Sequence, residues 1–181
     1  ISVTAHRRGK MIDSNDIAQG DGPMAPTRCG ALPVKDVVKM CFSGKFTERQ
    51  MYDKITKTGG LVDHLGTSDA RDVCKMIDEG SQYAKLIYDA MIYQIAKQAG
   101  AMAAALEGEV DGIILTGGIS YDKYVDEELT RKLKFIAPVT VMAGEFEMEA
   151  LAAGAIRVLS GEEEPKTYTG VPCWQGFDFD K

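Results

Sequence analysis

Hydrophobic and polar positions alternate with two different periods along the chain. Positions 1–6 alternate in the way that a half-buried strand does, and the basic, glycine-containing segment 7–10 turns the chain back into a second short strand. The short apolar runs at 113–115 and 139–142 also suit strands. The pattern predicts a β-hairpin at the start of the chain and two strands in its second half.

Apolar residues spaced three and four apart predict six helices in the remaining segments. These helices begin near Pro33, Thr47, Ser68, Ser81, Tyr121 and Glu145. The helix from Ser81 is the longest, and its apolar stripe is predicted to be part of the core. The stripe consists of Tyr83, Leu86, Ile87, Met91, Ile95, Ala99, Met102 and Leu106.

The order of these elements predicts an α/β fold. The strand, helix and strand between 113 and 142 form the crossover unit of a parallel sheet. A polar, glycine-rich loop over 15–32 joins the hairpin to the first helix, and ordered loops of this length are often functional.

Composition narrows the classes of function. The 181 residues fit one domain, and 45% of them are hydrophobic, which is enough for a core. The net charge of −6 argues against a nucleic-acid partner or an anionic membrane surface. The cysteines are scattered, which argues against a zinc site and favours a reducing, cytosolic location. They are Cys29, Cys41, Cys74 and Cys173, of which Cys41 and Cys74 are predicted to be buried thiols.

Two segments have the composition of a nucleotide site. Gly117 and Gly118 follow a strand and precede a helix, where the main chain can approach a phosphate or a base closely. The same glycines also suit a simple strand-to-helix turn. Asp69 and Arg71 flank Ala70 at the start of a helix; they could contact a ribose and a base, or form only a helix cap with an ion pair.

Two charged residues could act on a phosphoryl group. Arg28 lies in the glycine- and proline-rich loop, where a guanidinium could clamp phosphate oxygens, although a solvated surface arginine is the more common case. Glu147 opens the last helix and could hold Mg²⁺, or could simply complement the helix dipole. The sequence shows neither a Ser-His-Asp nor a Cys-His arrangement.

Several short segments, taken in order, are far more specific than any one motif. They are Ala5-His6-Arg7, Asp21-Gly22-Pro23, Pro26 with Arg28, Leu32-Pro33-Val34, Lys57-Thr58-Gly59-Gly60, Ser68-Asp69-Ala70-Arg71, Thr116-Gly117-Gly118 and Glu147-Met148-Glu149-Ala150. Together they resemble the C-terminal domain of the butyrate kinase branch of the acetokinase family, and the resemblance spans residues 1–165.

The resemblance implies an actin-like ATPase (ribonuclease H-like) domain: a mixed sheet flanked by helices and lacking its first strand. It implies reversible transfer of a phosphoryl group from ATP to butyrate, with Mg²⁺. By position, Arg28 resembles the catalytic arginine and Glu147 the magnesium-linked carboxylate. The segments predicted to contact ATP or ADP are Asp69, Ala70 and Arg71 with Gly117 and Gly118. A carboxylate is already a nucleophile at neutral pH, so no general base is required.

The family pattern also predicts what lies outside this chain. Residues 1–164 are interpreted as the C-terminal nucleotide-binding domain and 165–181 as a tail. The N-terminal domain is expected before Ile1, so the isolated chain is expected to be inactive. The resemblance further implies a homodimer formed through this domain. A kinase of acetate, propionate or a branched-chain acid remains an alternative, as does a non-catalytic fragment that binds nucleotide or dimerises.

Overall fold

The computed structural model describes residues 1–172, so the tail from Cys173, with Trp174, lies outside the described residues. The chain divides into two compact units, Ile1–Gly144 and one that begins at Glu145. The strands and helices are β1 (Thr4–Arg7), β2 (Lys10–Ser14), α1 (Val34–Cys41), α2 (Glu48–Thr56), α3 (Leu61–Leu65), α4 (Ala70–Asp78), α5 (Gln82–Ala105), β3 (Ile113–Gly117), α6 (Lys123–Leu133), β4 (Val139–Ala143) and α7 (Glu147–Leu159).

The strands form two pairs of opposite kind. β1 and β2 are antiparallel, and their register shifts between Ala5 and His6. β3 and β4 are parallel, with Ile113 opposite Val139. This confirms the predicted hairpin and the predicted crossover unit. Within residues 1–172 the antiparallel pair and the parallel pair form two separate two-stranded sheets, which together contain both strand directions of a mixed sheet. A 3-10 turn, Gly118–Tyr121, follows β3 and leads into α6.

Helix α5 is the centre of the first unit. Its buried residues lie on one face, which packs against α4, α6 and the hairpin. Among residues 1–172, the largest fully buried side chains are Tyr88, Leu61, Met91, Ile92, Leu133, Val73 and Val125. Helix α5 therefore packs against two of the helices near the candidate site, α4 and α6.

Part of the predicted stripe of α5 was wrong. Ile87, Met91, Ile95 and Met102 are buried, but Leu86 is 62% exposed and Tyr83 is 53% exposed. Each residue advances the helix by about 100°, so Leu86 lies about 200° around from Ala84, which is fully buried. The core face instead includes Ala84, Tyr88 and Ile92, which the apolar spacing did not single out.

Helix α1 also differs from the prediction. It spans Val34–Cys41, and Pro33 precedes it as the N-cap. None of its side chains is buried, so the prediction of a buried Cys41 thiol was wrong: Cys41 is exposed, while Cys74 is half-buried. The amphipathic pattern predicted the helix correctly, but periodicity cannot indicate whether another element covers its apolar face.

Two further findings concern the helices. The helix predicted near Thr47 is present and begins with a capping box, in which the Thr47 hydroxyl accepts from the amide of Gln50. Helix α3 was not predicted, because its five residues are too few to show a helical period. Among residues 1–172, no helix has both the length and the apolar character needed to cross a membrane.

Candidate functional site

The loop that contains Arg28 is held by main-chain hydrogen bonds to distant residues. The amide of Cys29 donates to the carbonyl of Ile55, and the carbonyl of Pro26 accepts from the amide of Val62. A Cβ atom on Gly60 would lie only 1.8 Å from the carbonyl oxygen of Ala25, and the φ of Gly60 is +61°. Only glycine fits this approach, so the start of α3 fixes the path of the loop.

The guanidinium of Arg28 is tethered to main-chain carbonyls. Its Nη2 donates to the Ile1 carbonyl at 2.7 Å and its Nη1 to the Ile17 carbonyl at 3.4 Å. The Nε atom is buried and has no hydrogen-bond partner among residues 1–172. Since a guanidinium has about five N–H donors, the two bonds hold the group in place and leave donors for an anion.

The predicted segment 69–71 forms the start of α4. The Asp69 carboxylate is the N-cap: its Oδ1 accepts from the Arg71 amide at 2.9 Å. The Arg71 guanidinium also binds this carboxylate through Nε, at 3.0 and 3.1 Å, and through Nη2, at 2.5 Å. These hydrogen bonds, the side-chain bond first, lower the pKa of Asp69 to about 2. Asp69 is thus a helix cap and an ion-pair partner here, and it presents Arg71 beside the cavity described below.

The predicted glycine pair forms the turn after β3. Gly117 is the last residue of β3 and has a φ of +85°, while Gly118 begins the 3-10 turn. The Gly117 amide donates to the Gly144 carbonyl at 3.0 Å, and the Gly144 amide donates back at 3.2 Å. We call residues 117–121 the glycine turn; its backbone is fixed on one side by Gly144.

One cavity of about 930 Å³ brings several predicted residues together. Its volume lies in the range of small-molecule sites. It lies between the start of α4 and the glycine turn, so Asp69, Ala70 and Arg71 face Gly118 across it. The remaining lining residues are Pro26, Ser68, Cys74, Lys75, Asp78, Ile119, Tyr121, Asp122 and Lys123. Gly117 and Arg28 do not line it, although Gly117 directly precedes Gly118 and Arg28 is two residues from Pro26.

The predicted metal ligand lies in the second unit. Glu147 is the first residue of α7, and Glu149 shares that first turn. Among residues 1–172, no three His, Cys, Asp or Glu side chains cluster in a way that could hold a metal ion. Mg²⁺ commonly takes only one or two carboxylates and completes its shell with phosphate oxygens and water, so a single carboxylate at Glu147 fits this ion.

Sequence reasoning missed three residues around the cavity. Asp122 and Cys74 line it, and Tyr88 lies behind them, fully buried. The only signal in the sequence was that Asp122 directly follows the glycine turn and suits an N-cap. Tyr88 and Cys74 precede Asp122 by 34 and 48 residues, and no spacing in the sequence relates them to it.

Solved structures show the fold class. The chain matches the acetate kinase of Porphyromonas gingivalis with a TM-score of 0.79 and 23% identity, over 87% of this chain and 46% of that one. It matches the acetate kinase of Entamoeba histolytica with a TM-score of 0.73 and 20% identity, over 86% of this chain and 48% of that one. The predicted actin-like α/β class is therefore confirmed.

Sequence comparison shows the family: the profile of the Acetokinase family matches residues 1–154, and the chain belongs to this family. A "Probable butyrate kinase" of Clostridium botulinum is 50% identical over 168 residues. "Butyrate kinase 2" of Clostridium acetobutylicum is 51% identical over the same length. Each alignment covers 93% of this chain and 47% of the relative, so the chain spans about half the length of these curated relatives.

Proposed function

We propose that the polypeptide carrying this chain is a butyrate kinase, which transfers the γ-phosphoryl group of ATP to butyrate and reverses the reaction from butyryl phosphate and ADP. The observation that carries the proposal is the cavity between α4 and the glycine turn. It brings Asp69, Ala70 and Arg71 opposite Gly118, and the family resemblance pairs these two regions as the adenosine site, in a chain of the acetokinase family. Relatives at 50% and 51% identity are named butyrate kinases.

In this proposal the cavity binds the nucleotide. Arg71 is 90% exposed and is oriented by Asp69, so its guanidinium can stack on a base or pair with a phosphate. Gly118 has no side chain, so a base or ribose can approach the main chain of the glycine turn. Asp69 acts through Arg71, because its carboxylate already accepts from the side chain and the amide of that residue.

Arg28 is proposed as the catalytic residue. In the transfer, a carboxylate oxygen of butyrate attacks the γ-phosphorus, the new C–O–P linkage forms, and the bond to the β-phosphate oxygen of ADP breaks. Negative charge is spread over the phosphoryl oxygens as this happens, and a fixed guanidinium stabilises it. The hydrogen bonds from Arg28 to the carbonyls of Ile1 and Ile17 support this role, since they position the guanidinium before the substrate binds.

Glu147 is proposed to hold Mg²⁺, directly or through water. When bound, the ion would supply positive charge to the phosphate oxygens of the nucleotide. The match of Glu147-Met148-Glu149-Ala150 to the family pattern supports this role.

The remaining features of the protein follow the same proposal. We assign residues 1–164 to the C-terminal nucleotide-binding domain and residues 165–181 to a tail, with an N-terminal domain elsewhere in the polypeptide. A homodimer through this domain is supported by exposed apolar side chains on one face of α5, Tyr83, Leu86 and Tyr93. A cytoplasmic location is supported by free thiols at Cys29, Cys41 and Cys74.

The decisive experiment measures acyl phosphate formation from MgATP by the full-length polypeptide. Acetate, propionate, butyrate and isobutyrate are offered in parallel, and we expect the highest kcat/KM for butyrate. Preference for acetate, propionate or isobutyrate would replace butyrate by another short carboxylate and keep the kinase. No product from any of them, with MgADP binding retained in calorimetry, would leave a nucleotide-binding protein that is not a carboxylate kinase.

A further inference from the structure

The carboxylate of Asp122 accepts hydrogen bonds from three helices around the cavity. Its Oδ2 accepts from the Tyr88 hydroxyl of α5 at 2.7 Å and from the Cys74 thiol of α4 at 3.1 Å. Its Oδ1 accepts from the Tyr124 amide of α6 at 2.9 Å. We call Asp122, Cys74, Tyr88 and the Tyr124 amide the Asp122 cluster.

We propose that Asp122 is the positioning residue of the nucleotide cavity, holding the α4 wall and the glycine turn at the separation that the nucleotide requires. This inference rests on the proposed function, in which the cavity binds ATP or ADP. Asp122 ends the 3-10 turn that begins at Gly118 and is the N-cap of α6. Cys74 lies one helical turn after Ala70 on the opposite wall. One carboxylate thus links both predicted nucleotide-contacting segments.

The cluster keeps its donors protonated at neutral pH. Burial first, and then the hydrogen bond to Asp122, raise the pKa of the Cys74 thiol to about 11. The same two causes, in the same order, raise the pKa of Tyr88 above its ordinary value. Tyr88 is fully buried and stacks on the ring of Tyr124, with ring centroids 6.4 Å apart. Both side-chain donors therefore stay protonated near neutral pH and keep their hydrogen bonds to Asp122.

A carboxylate is the group that this environment requires. Donors face both oxygens of Asp122, whereas an asparagine offers one oxygen and one NH₂ group. In one orientation of an asparagine amide, the NH₂ would face the Tyr88 hydroxyl and the Cys74 thiol. In the other orientation it would face the Tyr124 amide. Asp122→Asn therefore removes either the acceptor that the Tyr88 hydroxyl and the Cys74 thiol share or the acceptor of the Tyr124 amide, while changing the volume of the side chain very little.

The test separates the affinity for nucleotide from turnover in the full-length polypeptide. For D122N we expect the KM for MgATP to rise about tenfold, the change that follows from losing a hydrogen bond to a charged group. We expect kcat at saturating MgATP to stay within about twofold of wild type, because the bound nucleotide still reaches its place. Glu127→Gln is the matched control, since Glu127 is exposed on the same helix and should leave both constants unchanged.

A second set of variants keeps the inference testable if D122N folds poorly. Tyr88→Phe removes one donor and keeps the ring, and should raise the KM for MgATP about fivefold. Tyr52→Phe, at an exposed position of α2, is its control. Cys74→Ala should raise the same KM, and Cys74→Ser should restore it by returning a donor. Rescue by serine would distinguish a hydrogen-bond role from a loss of packing.

Calorimetric titration of MgADP separates this inference from the proposed function. If the wild-type polypeptide binds MgADP but forms no acyl phosphate, the kinase proposal fails, while a weaker affinity of D122N for MgADP still supports the positioning role. If D122N and Y88F bind MgADP as wild type does, or lose kcat with an unchanged KM, the positioning role is overturned. If wild type binds no nucleotide, both proposals fall.

Discussion

The loop around Arg28 and the glycine turn both place backbone beside the proposed reaction, but they are held in different ways. The glycine turn follows directly from its neighbours: β3 ends at Gly117, a 3-10 turn begins at Gly118, and Asp122 caps α6. The loop over 15–32 has no helix or strand of its own. It is shaped by residues far along the chain, chiefly Gly60 and Ile55.

This contrast separates two kinds of sensitivity to mutation. A turn that is set by local geometry should tolerate changes elsewhere and should respond mainly to backbone strain at its own glycine. A loop that is set by distant packing should fail when a distant residue is enlarged. Four predictions test the contrast, beginning with the group that the loop carries.

Arg28→Lys should produce the largest effect. Lysine keeps the positive charge but lacks the planar fork that can bind two oxygens at once. We expect kcat for acyl phosphate formation to fall about 1,000-fold, in the range found for arginines that stabilise a transferring phosphoryl group. Arg49→Lys, at an exposed position of α2, should leave kcat unchanged. Turnover of R28K within tenfold of wild type would mean that Arg28 only tethers the loop.

Gly60→Ala should destabilise the protein more than Gly66→Ala or Gly117→Ala. The new Cβ would lie 1.8 Å from the Ala25 carbonyl oxygen and 2.6 Å from that of Arg28. Backbone strain and overpacking together should lower the free energy of unfolding by about 3–5 kcal/mol. Urea denaturation of Gly66→Ala is the control, because a Cβ there meets open space and φ is also positive. Equal losses for the two variants would argue that the loop can move away from Gly60.

Gly117→Ala should have a smaller effect that is confined to the glycine turn. A Cβ at this position meets nothing within 4 Å, so the cost comes only from the φ of +85°. That strain is about 1–3 kcal/mol. Part of it should appear as a higher KM for MgATP, whereas G60A should affect mainly stability. The same KM for wild type and G117A would show that the turn does not touch the nucleotide.

The same contrast explains which parts of the molecule the sequence could predict. The hairpin, the crossover unit, the capping box at Thr47 and the long helix were predictable because each depends on residues close together in the chain. Burial was less predictable: the apolar spacing placed Leu86 in the core, yet that side chain is exposed. Which face of a helix is buried depends on elements that are distant in sequence, so periodicity alone could not predict it. The hydrogen bonds that Asp122 accepts from Cys74 and Tyr88 also join residues distant in sequence, and they were not predictable for the same reason.

The smallest predicted effect concerns the titration of Asp69. Its pKa is lowered from 3.8 to about 2, first by the Arg71 side chain and then by the Arg71 amide. Because the folded pKa is the lower one, the stabilisation is complete above pH 3.8 and is lost as the pH falls toward 2.

Carbon-13 NMR of the Asp69 carboxyl should show that its pKa rises partway back toward 3.8 in Arg71→Gln, because the hydrogen bond from the amide of residue 71 remains. Arg131→Gln, which removes an ion pair with Glu128 on α6, should leave Asp69 unchanged. An unshifted Asp69 in R71Q would mean that the cap alone lowers its pKa, and that Arg71 is free to bind the nucleotide without that carboxylate.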